Sequence, residues 1–399
     1  MNRRGEFDVI VVGAGVVGAA TALALVREGF EVALVETRPP PCWDARDDVD
    51  PRVVALAADA VGLLEELGVW PAIARARASA YQRMRIWDAL APGELQFDAA
   101  DRGEAALGWI VENRLLQHML WQALAEPVDG SRAARLSCPA EVASIENEAD
   151  GVAAMLADGT RLRARLLIAA DGAMSPIRTQ LGIATRDRDY AQRAIVAHVD
   201  TERAHESTAW QRFQPGGPLA FLPLADGRSS IVWSLPSAEA ERLLALDEAA
   251  FRGELGCAFD FRLGAITATT SRLSFPLRMR LAERYVDGRC VLVGDAAHAV
   301  HPLAGQGLNL GLRDARNLRD QLLRAKARNS DIGASHVLRR YERERRSENT
   351  LAANSFSLIE SAFDSGSTAI AGLRGVALAL ANRLPPVKRL LGDAAAGRL

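Results

Sequence analysis

FDVIVVGAGVVGAATALALVREGFEVALVE, residues 7–36, is the stretch on which the fold turns. Its opening, 7–12, is apolar and strand-like and runs into the spaced glycines Gly13, Gly15 and Gly18. Hydrophobic periodicity predicts a strand over 8–12, a helix over 16–27 stopped by Gly29, and a second strand over 32–36. A helix that begins on glycines presents unpaired backbone amides, a ready donor set for a pyrophosphate. Gly13 then permits the tight turn, Gly15 lets backbone approach a phosphate, and Gly18 allows close helix–strand contact. Glu36, ending the second strand, is placed to accept hydrogen bonds from adenosine ribose hydroxyls. The pattern predicts dinucleotide binding and leaves FAD and NAD open.

A second signature separates those two. The run 290–294 reads as a buried strand that delivers Asp295, Ala296, Ala297 and His298, followed by Pro302, Gly305, Gln306, Gly307 and Asn309. Asp295 at the strand's end is placed to accept hydrogen bonds from a polyol such as ribityl. Gly305, Gln306 and Gly307 open a helix expected over 308–323, so their amides and the helix dipole can stabilise negative charge on a reduced isoalloxazine. NAD has no equivalent need, so the ordered pair of signatures points to FAD. A plainer reading keeps Asp295 as a cap or turn residue and the glycines as loop punctuation. His298 and His301 read more simply as packing or hydrogen-bonding residues than as a proton shuttle, since sequence shows them no partner. Between the signatures lies Ala170, Asp171, Gly172, Ser175 and Arg178, after a predicted strand. It reads as backbone and carboxylate near a nucleotide, or equally as a turn with a Ser-capped helix.

Working outward, 37–50 reads as a long loop, and Pro51 as the start of an apolar helix over 53–67. Short strands are expected over 84–88 and 94–98, a helix over 112–124, and strands over 140–146, 152–156 and 162–169 with an Asp158-Gly159 turn. From 185 to 281 the texture is strand-rich and aromatic, a second module after which 290–293 returns to the first. The fold class is therefore α/β: a discontinuous Rossmann-like nucleotide domain over 1–75, 103–184 and 283–345, an inserted β-sheet substrate domain over 76–102 and 185–282, and a C-terminal helical region over 346–399. At 399 residues, 49% hydrophobic and net charge -2, the chain can bury one or two sizeable cores and gives no reason to expect nucleic acid. The four cysteines are scattered, with no His cluster at ligand spacing, so no metal is expected. The start shows no signal-peptide pattern and no apolar stretch reaches bilayer length, which suggests a cytoplasmic protein. Ile370, Leu373, Val376, Leu380 and Leu384 recur at helical spacing in a basic tail, which suits peripheral contact with an inner membrane or a partner protein. The plainer alternative is a terminal helix packed on its own domain.

Taken together, the motifs GAGVVG with Glu36, ADGAMSPIR at 170–178 and GDAAHAVHPLAGQGLNLGLRDA at 294–315 resemble the class A flavoprotein aromatic hydroxylases, the p-hydroxybenzoate hydroxylase fold. DPRVVAL at 50–56, MRIWDA at 84–89, IVENRLLQ at 110–117, GPLAFLPL at 217–224 and SIVWSLP at 230–236 resemble one branch, the ubiquinone-biosynthesis monooxygenases. The resemblance covers essentially the whole chain. It implies that Gly13, Gly15, Gly18 and Glu36 hold the ADP half of FAD and that Arg52 and Arg114 hold its phosphate and adenosine portions. It places Asp171 by the pyrophosphate, Asp295 on the ribityl or pyrophosphate link, and 302–309 along the flavin ring, with Pro302 and Gln306 tuning the flavin. NAD(P)H as electron donor, O2, a flavin C4a-hydroperoxide and a polyprenyl-phenol substrate follow by the same likeness, with homo-oligomers or a quinone-synthesis complex as partners. Phe221, Leu222, Leu224 and Trp233 are candidates for a greasy tail channel, or simply for core. A hydroxylase of a small soluble phenol and a non-catalytic flavin- or lipid-binding accessory protein stay open as alternatives.

Overall fold

The computed structural model describes residues 6–90, 93–126, 134–300 and 306–364. Its first layer grows from the opening motif: strand Glu6–Val12, helix Val16–Arg27 and strand Val32–Val35 form a parallel β-α-β unit. The helix is apolar on every side because it is enclosed, packing on the helices Asn113–Ala125 and Gln306–Ala327 as well as near the sheet. Gly29, at φ +74°, ends it as expected. Strands Arg161–Ala169 and Cys290–Leu292 extend the same sheet on one side and Arg135–Ser137 on the other, all parallel. Val142–Asn147 and Val152–Leu156 join it antiparallel. A chain segment from beyond residue 289 thus lies beside one from residue 161, which is the return read from the sequence.

The second large sheet, nine-stranded among the described residues, is built around the 17-residue strand Thr185–Thr201. Ser229–Pro236 and Leu273–Ala282 flank it, Leu219–Pro223, Thr208–Phe213, Arg83–Asp88 and Glu94–Asp98 continue the path, and His298–Ala299 closes the far edge. Register fixes its two faces. Ile195 lies opposite Trp233, and Phe221 opposite both Ile231 and Trp210, so these share one face. That face is covered by the helices Ser237–Ala245 and Glu248–Ala258, where Phe221 stacks on Phe259 at 3.7 Å and Trp233 meets Phe251. Phe221 and Trp233 are therefore core, and the tail-channel reading does not hold for them. Leu224 is likewise buried, against Val49, Tyr81, Ile110 and Ala209, with half-buried Leu222 packed beside that cluster.

The expected helix over 53–67 is instead a strand, Val53–Leu56, followed by a helix, Ala58–Glu66. The β-branched Val53 and Val54 pair antiparallel with Gly108–Glu112, a strand the sequence reading missed, in a three-stranded sheet with Ser79–Tyr81. Among the described residues no helix is long and apolar enough to cross a membrane, and no His, Cys, Asp and Glu group could hold a metal. The basic tail, with its apolar stripe, lies outside the described residues.

Candidate functional site

Four parallel strands end at one level. Val12 stands opposite both Val35 and Ala169, and Ala169 opposite Leu292. The residues just beyond are the glycine loop, Glu36, Asp171 and Asp295. With neighbouring strands about 4.8 Å apart, these stand in a row along the carboxyl edge, where open α/β sheets take ligands.

The glycines divide by what surrounds them. Gly13 has φ +98°, and a Cβ there would lie 2.4 Å from the Ala170 carbonyl oxygen; one on Gly18 would lie 2.0 Å from that of Gly13. Protein backbone excludes side chains at both. A Cβ on Gly15 would meet nothing within 4 Å. Among the described residues nothing requires glycine at that position, and the open space is a cradle a phosphate would fill. The residue before it is held on both sides: Ala14 N–H donates to Glu36 Oε2 at 2.5 Å, and Gln117 Nε2 donates to Ala14 O at 2.8 Å. In a trans peptide the next N–H points opposite to that carbonyl, so Gln117 sets the direction of the Gly15 amide. Gln117 was not singled out from sequence, because its partner lies 103 residues away.

Asp171 and Asp295 carry unmet acceptors. Asp171 Oδ2 takes the Ile177 N–H at 3.0 Å, while buried Oδ1 has no partner among the described residues. Burial pushes this carboxyl up, against the lowering effect of Ser175 and the Ile177 amide. Ser175 also caps the Pro176–Gln180 helix by accepting the Arg178 N–H, so the plain turn-and-cap reading accounts for Ser175 and not for Asp171 Oδ1. Asp295 is exposed at its surface yet deep enough in the protein for burial to raise its carboxyl, with His298 opposing. Among the described residues no protein donor reaches its carboxylate. Buried Arg178 braces the two loops, donating to Ala173 O and Ala296 O at 2.8 Å each.

Strand pairing brings Arg52 and Arg114 together: Val53 lies opposite Glu112, and Asn113 N–H donates to Arg52 O at 2.9 Å. Arg114 pairs with Asp50 at 3.4 Å and Asp47 at 3.5 Å, whereas the exposed Arg52 side chain makes no ion pair among the described residues. Buried Glu112 anchors the 37–50 loop through the Asp50 N–H at 2.7 Å and Trp43 Nε1 at 3.2 Å.

The helix Gln306–Ala327 begins at the expected glycine segment, with Gln306 and Gly307 in its first turn. Pro302, Gly305 and His301 fall outside the described residues. Asn309 is fully buried, taking the Ala57 N–H at 3.0 Å and donating to Ala55 O at 2.9 Å. It ties the helix start to the Val53–Leu56 strand. His298 is a buried hydrogen-bonding residue, its Nε2 lying 2.5 Å from Asp314 Oδ2.

A buried Asp171 oxygen and an Asp295 carboxylate without partners among the described residues, beside an open glycine at a helix N-terminus, suit a polyol-linked dinucleotide. The FAD binding domain family model matches residues 6–354. The chain belongs to this FAD-binding family. Its sequence is 36% identical over 96% of both chains to a 3-demethoxyubiquinol 3-hydroxylase of Escherichia coli. It is also 37% identical to the ubiquinone hydroxylase UbiL of Rhodospirillum rubrum, over 98% of this chain and 90% of that one. The protein is thus an FAD-dependent monooxygenase of the ubiquinone-biosynthesis branch. In fold it is similar to p-nitrophenol 4-monooxygenase PnpA of Pseudomonas putida, with TM-score 0.77 and 20% identity over 99% of each chain.

Proposed function

We propose that this monooxygenase hydroxylates the aromatic ring of a polyprenyl-phenol precursor of ubiquinone, with FAD along the row of loops at the parallel-sheet edge. The observation that carries the reading is that row: open Gly15, Glu36, and Asp171 and Asp295 carboxylate oxygens without partners among the described residues stand side by side. The ADP half lies on Gly13, Gly15 and Gly18, with Glu36 toward the ribose and Arg52 and Arg114 toward phosphate and adenosine. Asp171 faces the pyrophosphate and Asp295 the polyol. Pro302, Gly305, Gln306 and Gly307 border the ring. When bound there, FAD would supply the redox and oxygen-transfer chemistry, with NAD(P)H as the electron donor.

The chain's own task is placement and exclusion of water. Amides at the start of the Gln306–Ala327 helix stabilise negative charge on the ring. The large sheet serves as substrate domain, and its face opposite the two covering helices carries half-buried Ala220 and Val232 toward the site. Discontinuous segments 1–75, 103–184 and 283–345 make the FAD domain, and 346–399 a helical region whose tail suits peripheral membrane contact.

Quinone-intermediate profiling in cells lacking the protein tests the reading. A prenylated precursor lacking one ring oxygen accumulates and is consumed, with O2, by the purified yellow protein. Unchanged quinone intermediates together with turnover of short phenols point to a small-phenol hydroxylase, and absence of substrate-dependent O2 consumption to an accessory protein.

A further inference from the structure

On the FAD reading, the loop carrying Asp295 and the first turn of the Gln306–Ala327 helix must keep a fixed separation, since one faces the polyol and the other the ring. One carboxylate joins them. Asp314 sits about two turns into that helix with no exposed surface. Its Oδ2 accepts the Gly294 N–H at 3.0 Å and lies 2.5 Å from His298 Nε2. Its Oδ1 accepts Arg345 Nε at 2.7 Å and Asn349 Nδ2 at 3.2 Å. Arg345 is itself buried and donates onward to Asn349 Oδ1 at 2.9 Å and Leu310 O at 3.4 Å.

Stability alone does not call for such a cluster, because apolar residues of equal volume often serve as well as a buried ion pair. Its partners show what it specifies. Gly294 holds φ +59°, immediately before Asp295, and His298 begins the short strand that leaves the loop. The helix start is fixed independently on its other side, by Asn309 on Ala55 and Ala57. Among the described residues His298 Nδ1 is buried without a partner, and Asp314 is the hydrogen-bond partner of that ring.

We infer that Asp314 is a positioning residue: it locks the Gly294 and Asp295 loop to the start of the Gln306–Ala327 helix, so that polyol-side and ring-side groups form one rigid site. This rests on the FAD reading above, and Asp314 itself touches neither cofactor nor substrate.

The test separates the two halves of the cofactor. Deflavinated wild type and Asp314→Asn are titrated with FAD, followed by flavin fluorescence, and with ADP, followed by calorimetry. ADP engages only the glycine-loop half. The variant loses about tenfold or more in FAD affinity while its ADP affinity stays within about twofold. His298→Ala shows the same split, and His298→Gln, which keeps a donor near Nε2, restores FAD binding; this pair decides the matter if Asp314→Asn does not fold. Equal weakening of both ligands, or of neither, overturns the positioning role. Wild type that binds neither FAD nor ADP overturns the FAD reading instead.

Discussion

The glycine loop at 13–18 and the aspartate loop at 294–298 flank one edge of one sheet and are shaped by opposite means. The first is shaped by exclusion: backbone at Ala170 and at Gly13 itself leaves no room for side chains at Gly13 and Gly18. The second is shaped from beneath by charge, through a carboxylate that gathers four donors, two from the loop itself and two, Arg345 and Asn349, from a later helix. Exclusion writes itself into residue type at short fixed spacing. A buried charge network does not, because its members stand 16, 20, 31 and 35 residues from Asp314 and each alone looks like an ordinary helix or loop residue.

The contrast is open to direct attack. Arg345→Met removes the buried guanidinium that faces the Asp314 carboxylate and is expected to cost about 3–5 kcal/mol in denaturant unfolding, the largest single effect here. A smaller loss would mean that the aspartate loop is held by packing. Acid titration sharpens the point. Burial pushes the Asp314 carboxyl up, but His298 and Arg345 outweigh it and leave it well below the usual carboxylate range. Its contribution is then fully present above the unfolded pKa of about 3.9 and fades as pH falls through the lower folded value. The stability gap between wild type and Asp314→Asn should stay constant above about pH 5 and begin to close only below about pH 4. A gap that closes near neutrality would assign the effect to another group.

On the other side of the comparison, Gly13→Ala meets backbone at 2.4 Å and a positive φ, so a cost of about 1–3 kcal/mol is expected by thermal unfolding. Gly15→Val is the smallest in stability, within about 0.5 kcal/mol, yet it fills the cradle and should abolish retention of flavin through gel filtration. A yellow, stable Gly15→Val protein would remove the phosphate from that place.

What the sequence disclosed follows the same division. The helix Val16–Arg27, the strand Val152–Leu156 and the return of the chain at Cys290 were legible because periodicity and glycine spacing are local. The strand Val53–Leu56 was hidden, since a uniformly apolar run does not distinguish strand from helix until its partner at Glu112 is known. Phe221 and Trp233 show a subtler limit: alternation says which residues share a face, and only the placement of two helices says which face is covered. Arg52 and Arg114 were picked by likeness, and the pairing of Val53 with Glu112 explains how residues so far apart in sequence become neighbours. Gln117 and Asp314 escaped because their work is done on atoms far along the chain.

His298 and Ala299 pair with Leu281 and Arg280 of the large sheet, only a few residues after the chain leaves the parallel one at Leu292. The short stretch between ties one sheet to the other, and Asp295 sits on it. Prying the two sheets apart would drag that acid from its station, so the placement of Asp295 is coupled to the spacing of the sheets.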